Sequence, residues 1–117
     1  MIAGFLLDEH LPKWWSRDLR RAMPGLIVWQ VGDREAPPLE SLDVVLLAFC
    51  DEHDLLLLTN NRKSMPKHLA AYVALGRHVP GIFVVDPRMS IPVLATTLTL
   101  IAGAYRDQIQ YLPALEG

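Results

Sequence analysis

Leu55-Leu56-Leu57-Leu58-Thr59-Asn60-Asn61 sets four consecutive leucines before a threonine and two amides. An apolar run without polar alternation is buried on both faces, and Asn60-Asn61 ends it as turn residues do. The flanks repeat the logic. Upstream, Leu39 to His53 is long enough for a helix, with Ser41 or Glu40 near its start, although Val44-Val45 alone would suit a strand. Downstream, Met65, Leu69, Tyr72, Val73 and Leu75 fall at helical spacing and Gly76 stops them.

Ile2 to Leu7 is a short buried strand, cut off by Asp8 and Glu9. Pro12 opens a helix with Trp14, Trp15, Leu19, Ala22 and Met23 on its apolar side, and Pro24-Gly25 closes it. Leu26 to Val31 is a second strand, followed by a polar loop through Pro37-Pro38. Ile82 to Val85 is another strand, Ser90-Ile91-Pro92 begins a helix to about Tyr105, and Gln108 to Leu112 adds a short edge strand. Strands alternating with helices predict one α/β domain over residues 1–117: a mostly parallel sheet of four or five strands with helices on both faces.

A chain of 117 residues with 51% hydrophobic content can bury a real core. Its single cysteine, Cys50, lies in an apolar stretch and has no internal disulfide partner, which favours a reducing, cytoplasmic setting. Acids follow the first apolar run where a signal peptide would still be hydrophobic. The longest later run, Val93 to Tyr105, is short of the roughly 20 residues a membrane span needs, so no membrane association is expected. The formal charge of −2 argues against a uniformly basic coat but leaves room for local patches. Lys13, Arg17, Arg20 and Arg21 form one; Arg62, Lys63, Lys67, His68, Arg77 and His78 form the other.

In parallel sheets functional groups gather beyond the carboxyl ends of the strands. Asp8, Thr59-Asn60-Asn61 and Asp86 all fall at such ends. Asp8 can ligate Mg²⁺ or Mn²⁺, or cap the following helix; Glu9 should point the other way along an extended backbone. Asp43 is the only ionisable residue between Leu42 and Cys50, and either faces a cleft or complements a helix dipole. Asp86 either supplies a further acid to the site or, preceding Pro87, serves as a turn residue. The four histidines lack close metal-ligand spacing, and the chain has no zinc motif, Gly-rich phosphate loop or nucleophile elbow. Of Trp14 and Trp15, at least one belongs to the core.

Phe5-Leu6-Leu7-Asp8-Glu9-His10-Leu11-Pro12 resembles the start of the PIN-like domains, where Asp-Glu-Asn-Leu-Pro is usual and His10 stands in the Asn position. Ser41 to Thr59 resembles the middle of their small subgroup related to toxin nucleases of toxin–antitoxin pairs: an acid falls on Asp43, an acidic pair near Asp51-Glu52, and an apolar strand ends at Thr59. Gly81 to Val85 continues the order. The resemblance implies a Rossmann-like PIN fold, a divalent metal, Mg²⁺ or Mn²⁺, held by clustered acids including Asp8 and Asp43, and hydrolysis of RNA by a metal-activated water.

One departure matters. After the third strand the family carries further acids, and those positions fall here on Asn61 and Lys63, or on Asn61 and Ser64. An amide can orient water or ligate weakly but brings no charge, and Lys63 opposes a cation. The expected catalytic set is therefore Asp8, Asp43 and Asn61, a depleted site suited to one ion rather than two, with Arg62, Lys63 and Lys67 on the nucleic acid. RNA, an antitoxin protein and a second copy of the chain are the candidate partners. A binding module that keeps the fold without cutting is the alternative. A receiver domain fits poorly, because Thr59-Asn60-Asn61 offers no phosphate-accepting aspartate.

Overall fold

The computed structural model describes residues 2–101 and 109–112. Its elements follow the order β1 (Gly4–Leu7), α1 (Lys13–Ala22), β2 (Ile27–Gln30), α2 (Asp43–His53), β3 (Leu55–Thr59), α3 (Met65–Ala74), β4 (Ile82–Val85), α4 (Ile91–Ile101) and β5 (Ile109–Leu112). The strands form one sheet in the order β2-β1-β3-β4-β5, every pair parallel. This is a Rossmann-like α/β fold. The leucine run is β3, central and buried at every position, as its lack of polar alternation requires.

Two apolar layers flank the sheet. Phe5, Leu7, Leu56, Leu58, Phe83 and Val85 pack against Trp15 and Leu19 of α1 and Leu94 and Leu98 of α4. Leu6, Leu55, Leu57 and Ile82 pack against Leu46, Leu47 and Cys50 of α2 and Met65, Leu69 and Tyr72 of α3. Residues alternate between the layers along each strand because successive Cβ atoms point to opposite faces. Gly4 has a specific cause: a Cβ there would run into the Ile27 backbone of the adjacent strand.

Helix placement gives the connections their hands. The links through α1, α2 and α3 share one hand, whereas α4 lies on the α1 face while the chain steps outward to β5. The β4–α4–β5 link is thus opposite in hand to the other three, although such links are right-handed in about 98% of cases. Its consequence is that α4 does not cover the α2/α3 face of β5.

Several local expectations change. Ser41 does not cap α2; its hydroxyl donates to the Pro38 carbonyl, and Leu42 holds the cap position without a side-chain bond. Val44 and Val45 are helical and exposed. On α1, Trp15 is fully buried but Trp14 is 46% exposed, and Ala22 is exposed while Ser16 is buried. The expected end of the last helix, residues 102–105, and Gln108 lie outside the described residues. Among the described residues no helix is long and apolar enough to cross a membrane.

Candidate functional site

Strand order reverses direction at β1, where the chain goes to β2 on one side and later to β3 on the other. Crevices in open parallel sheets form at such a point, outside the carboxyl ends of the strands. Asp8 stands there. Its backbone N–H donates to the Leu58 carbonyl at 2.8 Å, extending the β1–β3 ladder by one residue. Alternation then turns its side chain to the α2/α3 side, and the Thr59 hydroxyl donates to its Oδ2 at 2.9 Å. The carboxylate is oriented and buried, with 7% of the residue exposed. It does not cap α1, which has no side-chain cap.

A second set of bonds extends from Thr59. Its Oγ1 accepts the Asn61 N–H at 3.0 Å. The Asn61 carboxamide is fixed in orientation, because its Oδ1 accepts the Ser64 N–H at 3.1 Å. Its Nδ2 therefore faces Ser64 Oγ at 2.8 Å and Asp43 Oδ2 at 3.1 Å. Asp43 begins α2, where the free N–H groups favour a negative charge, and its carboxylate is turned to Asn61 of the β3–α3 loop. His68 Nε2 lies 3.3 Å from the same Oδ2, so a continuous series runs Asp8–Thr59–Asn61–Asp43–His68.

The structure corrects the view that Glu9 points away from Asp8, and it adds His10 to the two acids. Leu11 N–H donates to the Asp8 carbonyl at 3.1 Å, closing a turn over Asp8–Leu11. The backbone is no longer extended there. Asp8, Glu9 and His10 each bring one ligand atom within 4.8 Å of the others. Glu9 Oε1 also accepts the Glu40 N–H at 2.8 Å, fastening this turn to the loop before α2.

Gln30 escaped the sequence reading altogether. It is buried in the second strand, and its Nε2 donates to the Leu11 carbonyl at 2.9 Å and the Asp8 carbonyl at 3.3 Å. Ser16 Oγ approaches its Oε1 at 3.4 Å. The one available signal was a polar side chain ending a β-rich run. That signal does not reveal what the amide holds.

The chain matches no family model, no curated protein and no solved structure.

The other sequence candidates separate. Asp86 follows β4, where the Arg88 guanidinium and backbone N–H hold its carboxyl down at about 2. It is a turn residue with its own cation, as its place before Pro87 suggested. Asp51 accepts the Tyr72 hydroxyl at 2.8 Å and ties α2 to α3. Arg62, Lys63 and Lys67 are exposed on the loop and first turn of α3, and the Arg62 guanidinium lies 5.4 Å from the Tyr111 ring centre. Arg20 of the other basic cluster bonds the Val28 carbonyl and Asp33.

Two carboxylates and an imidazole around one turn, with their ligand atoms within 4.8 Å of one another, are a donor set that could hold a divalent ion. Carboxylate oxygens suit Mg²⁺ and Mn²⁺, and the imidazole nitrogen suits Mn²⁺ better than Mg²⁺.

Proposed function

We propose that the chain is a metal-dependent ribonuclease of PIN-like type with a depleted acidic site, acting as the toxin of a toxin–antitoxin pair in the cytoplasm. The observation that carries this reading is the buried, Thr59-oriented carboxylate of Asp8 at the reversal point of a parallel sheet, linked through Asn61 to Asp43. Asp8 would hold the ion with Glu9 and His10, and Asp43 would contribute from the start of α2. A bound Mn²⁺ or Mg²⁺ supplies positive charge against a phosphodiester and makes water more acidic. Thr59 keeps the Asp8 carboxylate in one orientation, and Asn61 sets the position of Asp43. Exposed Arg62, Lys63 and Lys67 stand along the same edge for the RNA backbone.

The test is cleavage of a mixed-sequence RNA by purified protein with Mn²⁺ or Mg²⁺. Asp8→Asn keeps the side-chain shape and should abolish both cleavage and most Mn²⁺ affinity, as EDTA should for the wild type. Cleavage that survives Asp8→Asn and EDTA alike rejects the mechanism.

One observation favours a second reading, a non-catalytic module that binds nucleic acid. Asp43 Oδ2 is already met by an amide and an imidazole, which satisfy it without an ion. RNA binding by a protein that takes up no Mn²⁺ would select this alternative.

A further inference from the structure

A cavity of about 470 Å³ opens at the carboxyl ends of β3, β4 and β5, lined in part by Asn60, Arg62, Asp86, Arg88 and Tyr111. Its size falls within the roughly 300–1,000 Å³ of small-ligand sites. None of these five residues belongs to the Asp8–Thr59–Asn61–Asp43–His68 series. The cavity follows from the topology. Ile109 packs toward the α2/α3 layer, and Tyr111, two residues further along the strand, points to the same face. With α4 on the opposite face, the loop before α3 meets β5 directly, and Arg62 lies over the Tyr111 ring.

The charges are arranged for an anion. Arg88 grips Asp86 through Nε and Nη2, at 2.7 Å for the shortest contact, and so neutralises the one acid among the described lining residues. Among the described residues Arg62 makes no hydrogen bond or ion pair with a carboxylate; its charge helps to lower Asp86, and its guanidinium lies over the Tyr111 ring. A guanidinium ordered by an aromatic face loses less freedom when it binds a phosphate, and its planar fork matches phosphate oxygens.

We propose that this cavity is a subsite for one nucleotide of a single-stranded RNA, with its phosphodiester on Arg62 and Tyr111 as the surface that positions the guanidinium. The assignment rests on the reading of RNA as substrate but not on cleavage or on a metal.

The experiment is fluorescence anisotropy of a labelled eight-nucleotide single-stranded RNA with the full chain in EDTA, across a salt series. The wild type should bind, and Arg62→Ala should weaken binding roughly tenfold and reduce the log–log salt slope by about 0.7. Tyr111→Leu should weaken it similarly, while Tyr111→Phe keeps the ring and the affinity. Arg34→Ala removes the same charge from the loop after the opposite edge strand and should leave both affinity and slope unchanged.

No RNA binding by the wild type, or equal losses in Arg62→Ala and Arg34→Ala, overturns the subsite. Displacement of the RNA by uridine 5′-monophosphate at an equal affinity overturns its assignment to a strand and makes it a free-nucleotide site. Mn²⁺ titration of Arg62→Ala separates the two ideas: it should match the wild type even where RNA binding is lost. Metal-free RNA binding that depends on Arg62 in a protein that never cleaves would keep the subsite and reject the nuclease.

Discussion

The Thr59 hydroxyl donates to the Asp8 carboxylate across 2.9 Å, joining the ends of β1 and β3 over 51 positions of sequence. Both residues are buried, and the same oxygen of Thr59 accepts the Asn61 N–H. One side chain thus fixes the acid and the start of the loop that carries the amide.

Thr59→Val keeps the shape and removes both bonds. A hydrogen bond to a charged group contributes about 1.5–3 kcal/mol, and urea unfolding should show a loss of that size. A stability equal to wild type would mean that Asp8 is held by something else.

Asn61→Asp should change sign with metal. In EDTA the new carboxylate meets Asp43, whose Oδ2 lies 3.1 Å from the present amide nitrogen, and like charges repel. A loss of about 1–2 kcal/mol is expected. Mn²⁺ at about a hundred times the variant's Kd should return about 2.7 kcal/mol, bringing the variant to or above the metal-free wild type. Thermal melts with and without Mn²⁺ measure both signs, and a variant that gains nothing from Mn²⁺ counts against a metal at this edge.

Gln30→Leu should loosen the Asp8–Leu11 turn from a distance. The Leu11 carbonyl loses its side-chain donor, while the Asp8 carbonyl keeps only the Leu11 N–H, at a cost of about 1–3 kcal/mol. Amide exchange at residues 8–11 should accelerate more than at β4, a difference that hydrogen exchange by mass spectrometry resolves. Uniform acceleration would deny Gln30 a specific hold on the turn.

Cys50 should be inert in the native protein. It is fully buried on α2, and burial pushes its thiol far above the ordinary range, so thiolate is scarce and inaccessible. Alkylation by iodoacetamide should run slower than in urea by roughly three orders of magnitude or more, tracking the unfolded fraction. Rapid native labelling would show that α2 opens easily.

The order of elements and the two-sided burial of the sheet were legible in the sequence, because they depend on local patterns. The run Leu55–Leu58 has no polar alternation, and a segment of that kind must be covered on both faces. Asp8, Asn61 and Asp86 were placed at strand ends for the same reason: an apolar run that stops abruptly marks its own boundary. What those residues touch depends on contacts between distant segments. The Asp8–Leu11 turn brings Glu9 and His10 beside Asp8, contrary to the extended geometry expected at Glu9. Gln30 reaches back across the sheet edge to hold that turn, and Asn61 faces Asp43 because the Ser64 N–H takes its carbonyl oxygen. The opposite hand of the β4–α4–β5 link, which leaves Tyr111 open to Arg62, has no mark in periodicity at all. A helix buries its apolar face equally well on either side of a sheet, so the side it takes is decided by packing against α1 in the folded protein.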